Sequence, residues 1–473
     1  MAKPLRRAIC WVRRDLRLRD HAPLAIATGQ ADQVAVVFIF DRNILDELED
    51  RDDRRVSFIL RSLEEMDRKL HAIGSRLVVR IGKPEEEIPK LARELEVDAV
   101  FTGRDYELYA KKRDAEVAVA LAGEGRGFET VKDTVVFEAG EIVTATGDPF
   151  RVYTPYSRAW RRRFIPERDA AFCHADKSAI WTGSDLPNSS WGFEDIGFIP
   201  AETVIAPGED AAKRRLLDFS TRLSGYGEDR NFPALEATSG LSVHLRFGTI
   251  STRECVRAAL AGQSEGADKW LSELIWRDFY QDILAHSPHV VEEPFQAKYR
   301  GIVYPGQESH WVAWCEGQTG YPLIDGAMRC LRQTGTMHNR LRMVVASFLT
   351  KDLLIDYRRG EAWFARFLLD FDLASNNGGW QWAASTGCDP QPYFRIFNPI
   401  TQSETYDPDG IFIRRWVPEL RELKGPAVHF PAKARPMELQ AAGVVLGETY
   451  PWPIVDHAEM RPRAIELLKS LHP

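Results

Sequence analysis

VAVVFIF, at residues 34–40, is a run of seven apolar residues rich in β-branched and aromatic side chains, which is typical of a buried strand. Three further short runs of this kind are AICWV (8–12), RLVVRIG (76–82) and DAVFTG (98–103). Between them, residues 54–74 place apolar side chains three or four positions apart and end in Gly74, which predicts an amphipathic helix. Strands that alternate with helices predict a doubly wound, Rossmann-like parallel sheet, and we assign this α/β domain to residues 1–133.

The pattern changes after this domain. Residues 134–207 are rich in Pro, Gly, Ser and Trp and keep no sustained period, so we predict a long linker with little regular structure. From residue 208 onward, apolar residues recur at intervals of three and four, as in KWLSELIWRDFYQDILAH (269–286). The sequence therefore predicts an all-helical domain over residues 208–473.

The composition is that of an ordinary globular protein. Of 473 residues, 44% are apolar and 28% are charged, which excludes disordered, collagen-like and disulfide-stapled classes. No apolar run approaches the ~20 residues that a membrane span needs, and the first residues are too charged for a secretory signal. The six cysteines are scattered without a CxxC pair. We therefore expect a cytosolic protein with reduced thiols and no membrane partner.

Charge and motifs narrow the range of functions. The chain has 62 Lys and Arg against 69 Asp and Glu, and its formal net charge is −7. This balance argues against indiscriminate nucleic-acid binding but allows a local basic groove. No GxSxG, HExxH or Walker motif is present, and we predict no metal site. Nine of the thirteen tryptophans lie after residue 269, so aromatic side chains concentrate in the helical part.

Residues 226–248 combine hydroxyl side chains with a glycine. Thr238, Ser239 and Ser242 surround Gly240 just before a predicted helix. Hydroxyls and backbone N–H groups at such a point form an anion nest that suits a diphosphate. An ordinary capped helix without a ligand is the alternative interpretation.

Two predicted helices carry aromatic and charged side chains on one side. The first has five such residues at close helical spacing: Trp270, Glu273, Trp276, Arg277 and Tyr280. The second has three: Asn339, Arg340 and Met343. These sets are either core residues with a charged rim, or rings that hold an extruded base while a carboxylate binds its polar edge. In the second interpretation Arg340 suits a phosphate contact.

The stretch DFDLASNNGGWQWAASTGCDPQPYFRIFNPITQ, residues 370–402, is too polar and too aromatic for simple packing. Gly378 and Gly379 interrupt its helical pattern. We therefore expect Asn376 and Asn377 to be presented to a ligand rather than buried inside a helix.

These segments resemble the photolyase/cryptochrome flavoprotein family, and specifically bacterial cyclobutane pyrimidine dimer photolyases of the class I/class III branch. Its most specific motifs are TGTMHNRLRMVVASFLTKDLLIDYRRGE (334–361), NNGGWQWAASTG (376–387) and YFRIFNPITQSETYDPDG (393–410). The resemblance implies light-driven repair, in which photoexcited reduced FAD donates an electron to a flipped-out dimer, the ring splits and the electron returns. The implied partner is UV-damaged DNA, and we expect a monomer.

Site residues also follow from the resemblance. It implies FAD contacts by Tyr226, Thr238, Ser239, Gly240, Leu241, Ser242, Trp270, Arg277, Arg342, Asp370, Asp372 and Asn376. It implies lesion or DNA contacts by Arg230, Glu273, Trp276, Arg277, Tyr280, Asn339, Arg340, Met343, Trp382, Arg395 and Gln402. Catalytic roles fall to Glu273, which stabilises the charged dimer, to Asn376, which faces flavin N5, and to an electron chain of Trp380, Tyr357 and Tyr304.

This sequence departs from the family pattern at three places. Gly240 stands where the family has Arg in TSRLS, which removes one contact on the phosphate side. Tyr357 and Tyr304 stand where relatives have tryptophan, so either these tyrosines relay the electron or nearby Trp314, Trp311 or Trp363 provide another route.

The third departure concerns the antenna chromophore. Tyr109 and Ala110 replace the Asn-Glu pair that holds a folate in some relatives. Asp105, together with Arg14, matches a deazaflavin site in others. The antenna is therefore either 8-hydroxydeazaflavin or 5,10-methenyltetrahydrofolate.

Three other functions compete with this interpretation. A cryptochrome light receptor is opposed by Asn376, where plant receptors carry Asp, and by the lack of a signalling tail. Repair of (6-4) photoproducts is opposed by the pair His338-Asn339, where that chemistry uses two histidines. A flavin-storing or DNA-binding protein without catalysis has no positive support in the sequence.

Overall fold

The computed structural model describes residues 3–183, 185–188 and 190–469, and these residues form two compact units. Unit 1 comprises the chain up to Pro149, Pro155–Ser224 and Ser239–Ala285. Unit 2 comprises Phe150–Thr154, Gly225–Thr238 and the chain from His286 onward. The units interleave along the chain, whereas the predicted domains follow one another.

Unit 1 is built on a parallel sheet with the strand order β3-β2-β1-β4-β5. Its strands are β1 (Leu5–Val12), β2 (Ala31–Asp41), β3 (Val78–Gly82), β4 (Ala99–Gly103) and β5 (Gly127–Val131). The first four confirm the predicted strands. The sequence of β5, GFETV, lacks a continuous apolar run and lies at the sheet edge, so the pattern does not reveal it. The strand order reverses between β1 and β4, and this opens a crevice at their carboxyl ends.

Helices before residue 225 cover both faces of this sheet or follow it in the chain. They are α1 (Ala22–Gln30), α2 (Arg42–Leu45), α3 (Arg54–His71), α4 (Pro84–Glu94), α5 (Leu108–Ala122), α6 (Tyr153–Arg163), α7 (Pro166–Asp169), α8 (Phe193–Ile196) and α9 (Glu209–Ser220). α3 confirms the predicted amphipathic helix: the Asp53 side chain accepts from the Arg55 N–H at its start, and Gly74 has a φ of 78° just beyond its end.

The remaining helices form the predicted helical part. They are α10 (Tyr226–Asp229), α11 (Ser242–Phe247), α12 (Thr252–Ala261), α13 (Glu265–His286), α14 (Glu308–Glu316), α15 (Pro322–Thr334), α16 (Asn339–Ser347), α17 (Tyr357–Phe367), α18 (Leu373–Ala384), α19 (Pro399–Tyr406), α20 (Ile411–Trp416), α21 (Pro436–Ala441) and α22 (His457–Lys469). A π-helix spans Phe348–Asp352. Single 3₁₀ turns are Lys177–Ala179, Leu223–Gly225, Pro288–Val291, Ala297–Tyr299, Pro418–Leu420, Gly425–Val428 and Pro431–Lys433.

Each unit has its own apolar core. In unit 1, alternate residues of β1 and β2 pack against the apolar faces of α4 and α5, through Trp11, Val37, Ile88 and Val117. In unit 2, α14 to α18 pack around the fully buried Trp314, with Leu331, Val345, Leu349 and Trp380 among its core residues. Burial of these large side chains supplies the main favourable free energy of each unit.

Within the described residues, no helix has the length and the apolar character that a membrane crossing requires. The six cysteines are free thiols, as predicted.

Candidate functional site

Arg342 and Asp370, both implied flavin contacts, form an ion pair in unit 2. Nη2 of Arg342 lies 2.8 and 3.0 Å from the two carboxylate oxygens. Its Nε–H donates to the Met337 carbonyl at 2.9 Å. Because Asp370 is only 9% exposed, the pair ties α16 firmly to the turn before α18.

Helix α18 carries the polar and aromatic stretch that the sequence analysis singled out. The Asp372 carboxylate accepts from the Ser375 N–H at 3.0 Å and caps its first turn. The expectation that Gly378 and Gly379 interrupt a helix is wrong, because both lie inside α18. Each glycine costs only about 0.5–1 kcal/mol relative to alanine, which the cap and the burial of the neighbouring side chains offset.

The two asparagines of α18 have different surroundings. Asn376 is half-buried, and its Nδ2 donates to the Glu361 carbonyl at 3.2 Å. Asn377 is 4% exposed, and its Nδ2 donates to the Val290 carbonyl at 2.8 Å and to Oε1 of Glu361 at 3.0 Å. The prediction that both asparagines face a ligand is therefore wrong for Asn377, since a helix turns adjacent residues to different sides.

Glu361 and Gln381 complete a buried polar network under α18 that sequence reasoning missed. Nε2 of Gln381 donates to Oδ1 of Asn377 at 3.2 Å, and its Oε1 accepts from the Phe295 N–H at 2.8 Å. Burial raises the pKa of Glu361 to about 7. The only feature of the sequence that indicates this network is a polar residue on a helix face that is otherwise buried.

Three arginines of unit 2 share a positive neighbourhood around His338. The His338 ring caps α16 by accepting from the Arg340 N–H at 3.1 Å. Burial, followed by the charges of Arg342, Arg340 and Arg230, lowers the pKa of His338 to about 4, so the ring is neutral at pH 7. The structure thus brings Arg230 and Arg340 together in a local basic cluster on a chain of net negative charge.

The side chains near this cluster are partly fixed by protein contacts. Nη2 of Arg340 donates to Oδ1 of Asn231 at 2.6 Å, and its guanidinium lies 4.3 Å from the centre of the Tyr406 ring. The Arg230 guanidinium lies 5.2 Å from the Tyr226 ring, which is buried. These ring contacts hold the two guanidinium groups in place without neutralising them.

Other implied lesion and DNA contacts of unit 2 lie on α16, on α18, and in and before α19. Asn339 is exposed and its Nδ2 lies 4.0 Å from Sδ of Met343. Trp382 is half-buried with its ring 6.5 Å from that of Phe397. Arg395 lies in the loop before α19, where its carbonyl accepts from Gln391 at 2.6 Å, and Gln402 lies in α19 itself.

In unit 1, helix α13 presents a half-buried stripe of four predicted site residues. These are Glu273, Trp276, Arg277 and Tyr280, at spacings of three and four. The Trp276 and Tyr280 rings lie 5.4 Å apart and are tilted by 34°. The helix therefore offers an aromatic surface with a carboxylate one turn before it.

Trp270 and Arg277 both contact other residues of unit 1. Trp270 is 3% exposed and its ring meets that of Phe219 edge-on at 5.0 Å. The Arg277 guanidinium donates to the Thr134 carbonyl and lies 3.4 Å from the Leu245 carbonyl. Their predicted ligand contacts stay predictions.

The turn around Gly240, which carries the hydroxyl side chains, has the backbone conformation that a glycine there predicts. Gly240 has a φ of 60°, which glycine adopts without strain. The Leu241 N–H lies 3.4 Å from Oγ of Ser239, and the Leu241 side chain is fully buried. Thr238 and Ser239 are half-buried and Ser242 is exposed.

Arg14 and Asp105, the predicted antenna residues, meet at the carboxyl ends of β1 and β4. Nη1 of Arg14 lies 3.2 Å from Asp105 and 2.8 Å from Glu107, and Arg246 lies 3.3 Å from Glu107. Burial opposes ionisation of Asp105, but the surrounding arginines, Arg14 first, lower its pKa to about 2. Sequence reasoning missed Glu107 and Arg246, because nothing in the linear pattern links residue 246 to the strand ends.

Indole rings form a continuous path through unit 2. Trp380 is 2% exposed, and its ring centre lies 6.2 Å from that of Trp314. Trp314 stacks on Trp311 at 5.5 Å, and Trp311 meets Trp363 at 5.8 Å. Trp311 and Trp363 are partly exposed, so the path runs from the core to the surface.

Among the described residues, neither replacement tyrosine has a ring contact with these indoles. Tyr357 is 1% exposed, and in the part of the chain that the structure describes, the phenol oxygens of Tyr357 and Tyr304 have no hydrogen-bond partner. Burial raises the pKa of both phenols.

Comparison with known proteins agrees with this arrangement. Residues 8–174 match the DNA photolyase family and residues 270–470 match the FAD binding domain of DNA photolyase. A deoxyribodipyrimidine photo-lyase of Synechococcus is 40% identical, over 97% of this chain and 94% of its own.

Solved structures give the same result. A bacterial class III photolyase from Agrobacterium tumefaciens matches with a TM-score of 0.90 at 35% identity, covering 100% of this chain and 98% of its own. A cryptochrome from Synechocystis matches with a TM-score of 0.88 at 27% identity, covering 99% and 100%. On these matches, which span almost the whole length of each protein, the chain belongs to the photolyase/cryptochrome family.

Proposed function

We propose that this chain repairs cyclobutane pyrimidine dimers in DNA with light, using FAD as the electron donor. The observation that carries this proposal is the 40% identity to a deoxyribodipyrimidine photo-lyase over nearly the full length of both chains. The protein would then be a carbon–carbon lyase that acts on UV-damaged DNA.

The donor set of unit 2 fits a reduced flavin. The Asn376 amide uses its Nδ2 on the Glu361 carbonyl, so its oxygen is left to accept from the N–H that a reduced flavin carries at N5. The Arg342–Asp370 pair supplies a cation and an acceptor in fixed positions, and Asp370 is close to Asn376 in the sequence. When bound, reduced FAD supplies the photoexcited electron that the repair needs.

The lesion would be held by stacking and by one carboxyl group. A dimer is already poorly stacked, so its extrusion costs less than flipping a normal base. Trp276 and Trp382 each offer a half-buried ring, and such stacking contributes ~1–3 kcal/mol per base. Glu273 would bind the pyrimidine edge, where its hydrogen bond matters most once the dimer carries charge.

The DNA backbone would be bound by the basic cluster. Arg230 and Arg340 lie close enough for their charges to act together on His338, and both guanidinium groups rest on aromatic rings. Such a pre-organised pair suits two phosphates that flank an extruded nucleotide. Arg395, Gln402, Asn339 and Met343 complete the proposed contacts.

One assay tests the function and separates the alternatives. The chemically reduced protein is illuminated with an oligonucleotide that contains a thymine dimer, and we expect thymine absorbance to recover, but not in the dark. Glu273→Ala should lower the yield per photon more than it lowers binding. A protein that is photoreduced but restores neither this dimer nor a (6-4) photoproduct would act as a cryptochrome, and recovery of only the (6-4) substrate would change the assigned lesion.

The antenna belongs to the same proposal. We propose 8-hydroxydeazaflavin rather than 5,10-methenyltetrahydrofolate, because Arg14 and Asp105, which match a deazaflavin site in relatives, lie 3.2 Å apart, and because Tyr109 stands at a folate-contacting position. The absorbance of chromophore released from protein made in a deazaflavin-producing host tests this choice. We further infer a monomer in the bacterial cytosol and nucleoid, which sedimentation and cell fractionation would check.

A further inference from the structure

Gly240 lies where the family pattern has an arginine, and another arginine fills the space beside it. A Cβ atom on Gly240 would stand 2.1 Å from Nη2 and 2.3 Å from Nε of Arg215. Both values are far below any real contact distance, so the Arg215 guanidinium occupies the volume into which a side chain at position 240 would project. Arg215 lies on α9, which precedes the glycine-containing turn in the chain and belongs to the same unit as Gly240.

Arg215 is held at this turn by one hydrogen bond. Its Nε–H donates to the Ser239 carbonyl at 3.0 Å. Among the described residues, no other acceptor takes its remaining N–H groups, and no carboxylate forms an ion pair with it. An arginine has five N–H donors, so most of the fork is left for a ligand.

The histidine near Arg215 is uncharged. His244 is buried two residues beyond Ser242, and burial, followed by the charge of Arg215, lowers its pKa to about 3. The imidazole is therefore neutral at pH 7 and adds no competing cation. The turn thus combines one guanidinium with the hydroxyl groups of Ser239 and Ser242.

We propose that Arg215 binds the FAD diphosphate and takes the place of the arginine that the family carries at position 240. The proposal rests on FAD being the cofactor, as in the function above. An arginine contacts phosphate oxygens through two parallel N–H groups, and the fork can come from a neighbouring helix as well as from the turn itself. Supplying it from α9 leaves residue 240 free to adopt its positive φ.

The first experiment compares two cofactors and two variants of the full-length chain. In Arg215→Gln the affinity of the deflavinated protein for FAD should fall about 10- to 100-fold, the loss expected for a hydrogen bond to a charged group. Affinity for riboflavin, which has no phosphate, should not change. Arg214→Gln removes the same charge from the preceding exposed position and should alter neither affinity by more than about twofold.

The second experiment exchanges the two positions. Gly240→Arg alone should weaken FAD binding, because the new side chain meets the Arg215 guanidinium. The double variant Gly240→Arg with Arg215→Gln should bind FAD more tightly than either single variant. Arg215→Lys, which keeps the charge but not the fork, should lie between the wild type and Arg215→Gln.

Distinct results would overturn this inference. Unchanged FAD affinity in Arg215→Gln would remove Arg215 from the binding site. An equal loss of FAD and riboflavin, or a lowered melting temperature of the deflavinated protein, would make Arg215 a structural residue only. If the wild-type chain itself binds no FAD, the proposed function fails instead, and the two failures are thereby distinguished.

Discussion

Glu361 is a single buried acid whose ionisation opposes folding. Its pKa is raised by burial from an ordinary value near 4.5 to about 7. Below pH 4.5 the carboxyl is protonated in both the folded and the unfolded chain. As pH rises to 7 the unfolded chain releases the proton first, so the free energy of unfolding falls, and above pH 7 the loss is complete.

We therefore expect the free energy of unfolding of Glu361→Gln, relative to the wild type, to be higher at pH 8 than at pH 4.5. The expected change in this difference is up to about 3 kcal/mol. The glutamine oxygen still accepts from Asn377, which isolates the effect of charge. Thermal unfolding at several pH values measures the difference, and the exposed Glu404→Gln serves as the control. A stability difference that does not vary with pH would mean that Glu361 is not the titrating group.

Arg340 is the residue on which the proposed DNA contact depends most directly. Replacing it with alanine removes one cation from the cluster around His338. The slope of log affinity for dimer-containing DNA against log salt should become shallower by about one unit, as for one lost phosphate contact. Arg332→Ala, an exposed arginine on α15, should leave the slope unchanged. The same slope in wild type and Arg340→Ala would exclude a phosphate contact at this position.

At this scale the sequence predicted chemistry better than contacts. The family resemblance names both Arg342 and Asp370 as FAD contacts, and their atoms lie 2.8 Å apart. It gives no information on Glu361 or Arg215, because tertiary packing brings them to their partners Asn377 and Ser239. Asn377 was assigned to a ligand surface, whereas the phase of α18 turns it into the core.

Helix α18 is an element that keeps two adjacent glycines. A Cβ on Gly379 would meet nothing within 4 Å, so Gly379→Ala should raise the free energy of unfolding by about 0.5–1 kcal/mol by reducing the entropy of the unfolded chain. Gly360, on α17, is the matched contrast, because a Cβ there would stand 2.1 Å from the Trp380 ring. Gly360→Ala should therefore destabilise the protein.

Thermal unfolding of both glycine variants, with retained flavin measured in parallel, tests this account. If Gly379→Ala instead destabilised the protein, the backbone geometry of α18 would require glycine at this position.

Elements with strong periodicity were predictable and the others were not. The apolar run at residues 34–40 lies within β2, and residues 54–74 contain α3. β5 was missed, since its five residues carry no apolar run. The glycine pair predicts an interrupted helix at residues 378–379, whereas the Asp372 cap and the burial of Trp380 stabilise α18 through them.

For the molecule as a whole, the order of the sheet-forming and helical parts was predictable from the sequence, but their packing was not. Ser239–Ala285 lies in the helical half of the chain, yet it packs within the unit that holds the sheet. Ion pairs such as Arg257–Asp20 and Arg253–Asp133 hold this segment there, at 2.6 and 2.9 Å. Pairings between residues more than a hundred positions apart leave no periodic trace in one sequence.

Photoreduction of the oxidised flavin also depends on a path across unit 2. Trp380 would lose one electron to the photoexcited flavin, and the hole must then move outward. Oxidised tyrosine sheds its phenolic proton, but the described structure offers no acceptor to Tyr357 or Tyr304. The stacked indoles Trp314 and Trp311 need no such transfer until the hole reaches the partly exposed end of the path.

We therefore expect Trp314 to reduce oxidised Trp380, and Trp311 to reduce oxidised Trp314. An external thiol then reduces oxidised Trp311. Trp380→Phe and Trp314→Phe should largely abolish photoreduction, whereas Tyr357→Phe should leave it intact. Repair by chemically reduced protein should survive in all three, since that electron passes directly from flavin to lesion. Transient absorption should show only tryptophanyl radicals. A tyrosyl signal that disappears in Tyr357→Phe, together with normal photoreduction in Trp314→Phe, would return the path to the tyrosines that occupy the family positions.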